Sequence, residues 1–193
     1  MKKMLATVLI ALAATVTYAD DIPDRSGWNW SPLGLGIAAP AQLPWTSSDV
    51  YGLRIGGLFG FNQRVYGIDV DVFGYAEADA AGIQVAGVNI VGGAFDGIQV
   101  GAFNWNKLVS HGIEAGVLNY NATKYLGLAV GGMNMSDEFT GVQLGVFNTA
   151  EKMRGLQLGA INAADSLYGL QLGFINIVAS SKVPVMVIAN ASF

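Results

Sequence analysis

The sequence predicts an all-β protein built from tandem copies of one short unit. Three observations carry the prediction. The phrase Gly-h-Gln-h-Gly-h-h-Asn (h, apolar) recurs from Gly52 to Val178. Within each copy, apolar residues alternate with polar residues or glycine at the period of a strand. No helical period appears after residue 19. The leading glycines are Gly52, Gly67, Gly82, Gly97, Gly112, Gly127, Gly141, Gly155 and Gly169, spaced by 15 residues five times and then by 14 three times. A period this regular is the mark of a repeat architecture.

Composition bounds what such a chain can do. Of 193 residues, 52% are hydrophobic, 12% are charged, 26 are glycine and none is cysteine. The charged share is about half the roughly 25% of ordinary soluble domains, so there is little to set against water, which points to lipid or a partner. A net charge of −4 without a Lys/Arg cluster excludes phosphate-backbone recognition, hence nucleic acid. Absence of cysteine excludes disulfides, zinc-thiolate sites and cysteine nucleophiles.

Residues 1–19 read as a secretory signal peptide. Lys2 and Lys3 precede an apolar run from Met4 to Val16, and Thr17-Tyr18-Ala19 offers small residues for cleavage before Asp20. The run is shorter than the roughly 20 residues of a membrane-spanning helix, and no cysteine follows it to carry a lipoprotein anchor. Cleavage would leave 8 basic against 14 acidic residues, a formal charge of −6.

Residues 20–49 form an irregular N-terminal segment. They hold Trp28, Trp30 and Trp45 and the prolines Pro23, Pro32, Pro40 and Pro44. Leu33 to Ala39 alternates well enough for one strand, which Pro40 ends or confines to an edge. The tryptophans suit either an interfacial anchor or a plug over the end of a core.

Residues 50–193 form the β-repeat domain. With the leading glycine as position 0, positions +1, +3 and +5 are aliphatic or small, as in Ile98, Val100, Ala102 and Leu156, Leu158, Ala160. Bulky residues stand at −2 (Phe95, Tyr125, Phe139, Met153, Leu167) and at +6 (Phe103, Leu118, Met133, Phe147, Ile161, Ile175). Asparagine holds +7 in seven successive copies: Asn89, Asn104, Asn119, Asn134, Asn148, Asn162 and Asn176. Polar turns such as Ser136–Glu138 separate the copies. The last strand alternates through Val185, Val187, Ala189, Ala191 and Phe193.

Two stackings satisfy this pattern. The principal expectation is an antiparallel meander closed into an outer-membrane-type β-barrel of about 10–12 strands, each about 11 residues long with a turn of about three. The motif is nearly palindromic about +3. A hairpin centred near Asp165 would therefore set Leu158 against Leu172 and each long amide over a glycine. The apolar face spans about 20 Å after tilting, against a band of about 25 Å in such barrels, and the count of eleven strands sits awkwardly with their even numbers. The alternative is a parallel β-solenoid with one 14–15-residue repeat per coil. There Gly at 0 and +4 would mark bends, and positions −2, +1, +3 and +6 would point inward. The asparagines would form an amide ladder, Gln143, Gln157 and Gln171 would stack, and Arg54 would lie beside Asp69. Its exterior, poor in charge, would be sticky.

The repeat resembles a bacterial surface-repeat family with tandem Gly-h-Gln-h-Gly-h-h-Asn units, most strongly in the last four copies. In the first two copies Phe59 and Gly74 replace the asparagine, and Asp71 replaces the second glycine. The resemblance implies a surface location and brings no activity or functional residue. The last ten residues resemble the insertion signal of bacterial outer-membrane barrels, which implies handling by the outer-membrane assembly machinery. Ala191 departs from that signal, where an aromatic would fit better.

Candidate chemistry is sparse. His111, the single histidine, sits beside a turn as an ordinary exposed side chain. Asp69, Asp71, Glu77 and Asp79 form the best acidic cluster for Ca²⁺, yet Arg54 can pair with Asp69 or Asp71, which favours an ion pair. Glu114 stands in the glutamine column without a cation in the neighbouring columns, so burial would require it protonated or hydrated. The glycines recur inside strands with no helix to receive a phosphate, and Asn121-Ala122-Thr123 reads as a turn. No catalytic, cofactor-binding or metal-binding residue is expected. The sequence reads as a non-enzymatic outer-membrane or cell-surface β-repeat protein with a structural or small-channel role. The alternative is a secreted or surface-tethered β-solenoid serving as an interaction or adhesion surface. The expected partners are the lipid bilayer and its assembly machinery, and not nucleic acid.

Overall fold

The computed structural model describes residues 30–38, 41–44 and 46–193. The expected leader at 1–19, Pro23, Trp28, Pro40 and Trp45 lie outside them. The chain is all-β and winds as a β-solenoid. Each leading glycine turns the backbone: all nine have φ between 119° and 147°, a region open to glycine and closed to residues with a Cβ. A methyl on Gly97 would also overlap the carbonyl oxygen of Gly82 in the coil before it. Beyond each bend the chain runs extended.

The strands are β1 (Trp30–Ala38), β2 (Ala41–Leu43), β3 (Asp49–Gly56), β4 (Phe59–Asn62), β5 (Val65–Ala76), β6 (Ala80–Val91), β7 (Phe95–Asn106), β8 (Ser110–Val178) and β9 (Val185–Ser192). β8 is long because its coils follow one another without a break in extended backbone, and it contains five of the nine bend glycines. β1, β3, β5, β6, β7 and β8 stack in parallel, one above the next. Like meets like throughout, as Gly67 over Gly82, Ile83 over Ile98 and Asn104 over Asn119. β4 stacks on β5. At the ends the chain reverses: β2 pairs antiparallel with β1, and β9 with the last coil from Gly169 to Ile177.

The antiparallel barrel is therefore replaced by the parallel solenoid. Its expected hairpin at Asp165 would have laid Gln157 over Gly173. In the structure Gln171 donates directly to Gln157 at 2.7 Å. The physical reason is that every copy carries its motif in the same direction. Only parallel, in-register stacking brings each amide to the next amide, so that a buried donor meets a buried acceptor.

The inward set also differs from that expected of a solenoid. Position −2 is inside, as Phe95, Tyr125, Phe139 and Met153 show. So are the amides at +2 and +7 and the residues at +9, such as Val91 and Val178. Positions +1 and +3 face outward: Ile98 and Val100 are 38% and 41% exposed. Side chains alternate along an extended chain, so an inward glutamine at +2 forces its two aliphatic neighbours out. The glycine at +4 has no positive φ and does not mark a bend. It makes room, because a Cβ on Gly101 would crowd the amides of Asn89 and Asn104.

Two apolar clusters fill the interior, one around Val65, Ala76, Val91 and Phe95, the other from Tyr125 to Val178. Between them lies a buried polar segment formed by Asn106, Ser110, Glu114 and Asn121.

Candidate functional site

Two amide columns run through the interior, the +7 column from the third repeat to the ninth and the +2 column with a break at Glu114 and Ala129. In the +7 column each asparagine Nδ2 donates to Oδ1 of the next, from Asn89 through Asn104, Asn119, Asn134, Asn148 and Asn162 to Asn176, at 2.7 to 2.9 Å. The same nitrogens reach a backbone carbonyl one coil on, as Asn104 does at Ala115 (3.1 Å). In the +2 column donation runs the other way: Gln99 to Gln84 at 2.8 Å, Gln157 to Gln143 and Gln171 to Gln157 at 2.7 Å. The two ladders thus point their dipoles in opposite directions, which limits the net field along the shaft.

The +2 column begins with charge. Arg54 forms a two-pronged pair with Asp69, Nε and Nη2 each 2.6 Å from a carboxylate oxygen. Nη2 also lies 2.8 Å from Asp71, and Gln84 donates to Asp69 at 3.2 Å. All three charged side chains are buried. One guanidinium between two carboxylates leaves an excess negative charge. Burial accordingly raises the Asp71 pKa, Arg54 opposes the rise, and Asp69 adds to it. The expected pair of Arg54 with Asp69 is present, with Asp71 joined to it. Glu77 and Asp79 stand apart in a turn, where Asp79 accepts from the Ala94 amide at 2.9 Å. Among the described residues no three His, Cys, Asp or Glu side chains converge as metal ligands do.

Glu114 interrupts the glutamine column. Asn106 donates to its Oε1 at 2.5 Å and Asn121 to its Oε2 at 3.0 Å. Burial pushes its pKa up to about 7, against the opposing pull of those two amides, Asn121 first. One coil on, Ala129 occupies the column, and the freed volume is taken by Tyr125, whose ring stacks on Phe139 at 5.4 Å. The Tyr125 hydroxyl is buried without a hydrogen-bond partner, and its pKa is raised by that burial and then by Glu114.

The exterior divides sharply. Positions +1, +3, +5, +6 and +8 of all nine repeats contain no charged residue. Every charged side chain among the described residues, apart from buried Arg54, Asp69, Asp71 and Glu114, falls between +10 and −1. His111 lies in that strip, exposed and 2.6 Å from Asp96 one coil earlier. Lys152 pairs there with Glu138 at 2.6 Å and Arg64 with Asp49 at 3.4 Å. Rings of Tyr and Trp border the charge-free region: Tyr51 stacks on Tyr66 at −1 (5.2 Å), and Trp105 tilts against Tyr120 at +8 (6.1 Å). Lys107 sits over the rings of Tyr75 and Trp105.

The end strands extend the apolar surface. Leu43 and Leu35 continue the +3 column beyond Ile55, and Ala189 continues it beyond Leu172. An open apolar hollow of about 580 Å³ lies at the first end, lined by Leu35, Ile37, Leu43 and Ile55. The sequence pattern contained this surface all along, in the missing charges at alternate positions. Assigning those positions to the core concealed it. No protein-family model, curated protein or solved structure matches the chain.

Proposed function

We propose that the protein is a non-enzymatic, exported β-solenoid that works at the cell surface by contact, with its charge-free exterior as the contacting surface. The observation that carries the reading is the exclusion of charge from five outward positions in nine successive repeats. Nothing in folding demands it, since those side chains are at least partly exposed. Monomeric soluble proteins rarely expose contiguous apolar patches beyond a few hundred Å², whereas here the columns run from one end of the stack to the other. Export is supported by the leader-like residues 1–19, and surface placement by the resemblance of the repeat. Contact rather than catalysis is supported by the buried amides of the +2 and +7 columns, which donate to one another in ladders.

Protease treatment of intact cells carrying the protein tests the placement. Expected is loss of an epitope placed in the exposed turn at Ala179 and Ser180. An epitope protected until the cells are broken open would overturn the surface reading.

A further inference from the structure

We infer that the partner of this surface is a lipid bilayer, into which the solenoid sets one long edge, and the inference rests on the contact reading above. Positions +5 and +6 are consecutive, yet both face outward: Val146 and Phe147 are 51% and 43% exposed, Phe174 and Ile175 79% and 39%. Two adjacent outward residues mark a corner. The apolar surface therefore wraps around an edge, with +1 and +3 on one side and +8 on the other. A flat face of a second copy can cover one side of a corner. A fluid covers both.

The dimensions and borders agree. The charged strip lies half a repeat from the +5/+6 corner, on the opposite edge of the coil. From the leading glycine to the corner are five residues, about 16 Å of extended chain, close to the roughly 15 Å of one hydrocarbon leaflet. Immersion to that depth brings Tyr51 and Tyr66, one residue beyond the leading glycine, to the level where aromatic rings gather at membrane interfaces. Trp105 and Tyr120 at +8, about 8 Å of chain from the corner, lie among the acyl chains. Lys107 at +10 begins the charged strip on the far side of the corner, and that strip of mixed charge remains in water. On both sides of the corner the coils pair in register, as Val85 with Val100 and Val88 with Phe103, so the backbone there is used in ladders. The net charge of −4 gives anionic headgroups nothing to attract, so the binding is driven by apolar burial.

Flotation of the purified protein with dioleoylphosphatidylcholine vesicles tests the inference. Expected is co-flotation that 20% phosphatidylglycerol does not strengthen. It should fall at least tenfold in Val117→Lys/Val146→Lys, whose targets are 68% and 51% exposed at +5, and be unchanged in Ser166→Lys on the charged strip. Circular dichroism checks that the variants keep their β-structure. A second measurement needs no corner variant: with Trp28, Trp30 and Trp45 replaced by Phe, lipids brominated along the acyl chain should quench Trp105. Equal flotation of the lysine variant, or Trp105 left unquenched, overturns the inference. A protein that stays below the vesicles as a dimer, and becomes monomeric as Val117→Lys/Val146→Lys, assigns the surface to a second copy. That overturns the lipid partner and keeps the contact reading. A monomer that leaves the vesicles untouched overturns both.

Discussion

Asn121 donates its side-chain amide to Oε2 of Glu114 at 3.0 Å, inside a shaft where, among the described residues, no cation pairs with Glu114. The carboxyl group is thus supported by neutral donors alone. Two amides cannot replace the hydration that burial removes, and the proton is held up to about pH 7.

Stability should therefore fall as pH rises. Below pH 4.5, the ordinary value, both folded and unfolded chains carry the proton. Between there and pH 7 the unfolded chain has released it and the folded chain keeps it. Above pH 7 the folded state bears a buried charge. The group's contribution is full below 4.5 and lost above 7, a change of about 3 kcal/mol. Urea unfolding from pH 4 to pH 8 should show this decline. Glu114→Gln, which continues the glutamine column, should reduce the slope and stabilise the protein at pH 8. Asp71, raised in the same direction, supplies the remaining slope, which Asp71→Asn should remove. A wild-type stability that rises across this range would contradict the assignment.

The bend glycines should be the least replaceable residues. Gly141 has φ 134°, and a methyl there would overlap the Gly127 carbonyl. Gly141→Ala should cost about 3 kcal/mol or more, or prevent folding. Gly87, exposed at +5 where other copies carry Ala102 or Ala160, has no such φ; a Cβ there would lie 3.0 Å from the Val72 carbonyl oxygen, which must give slightly, and Gly87→Ala should cost about 1 kcal/mol. Thermal melts of the two variants make the comparison.

How much of this was legible follows from what repeats encode. The spacing of the glycines and the column of asparagines define one unit per coil as soon as the stacking is parallel, and the pairing of Arg54 with Asp69 follows from their shared position. The near-palindrome about +3 hid the direction of stacking, because it fits a hairpin as well as a coil. The inward face was misread for a physical reason. Hydrophobicity alone assigns Leu156 and Leu158 to the core and Gln157 to the surface. A glutamine that meets its own kind every 14 or 15 residues can satisfy its amide in a ladder, which removes most of the penalty of burial. Glu114 was visible as an exception to its column, and Tyr125 with Ala129 became intelligible only once the column was known to be inside.

Cutting the asparagine ladder in the middle should cost more than cutting it at its end. Asn119 accepts from Asn104, donates to Asn134 at 2.7 Å, and donates to the Val130 carbonyl at 3.1 Å. Asn119→Ala orphans a buried acceptor on Asn134 and shortens the partner set of Asn104, an expected loss of about 3 kcal/mol. Asn176 only terminates the column, accepting from Asn162 and donating to the Gly173 carbonyl. Asn176→Ala should cost about 1 kcal/mol. Equal losses in denaturant unfolding would mean that the ladder does not act as a connected network.

The second repeat offers a test of whether its departures compensate for each other. Asp71 stands where other copies have glycine at +4, and Gly74 where they have asparagine at +7. In the structure the two exceptions fit together: a Cβ on Gly74 would lie 3.3 Å from both the Arg54 guanidinium and the Asp71 carboxylate. Asp71 has taken the space that an asparagine would fill, and Gly74 has vacated it. Gly74→Asn alone should therefore destabilise by about 2 kcal/mol through overpacking. Asp71→Gly/Gly74→Asn restores the repeat, keeps the Arg54–Asp69 pair and removes the surplus carboxylate, so the double variant should recover most of that loss. It should also lose the part of the pH slope that belongs to Asp71. A double variant as unstable as the sum of its single changes would show that the two positions are independent, and that the swap is not a packing exchange.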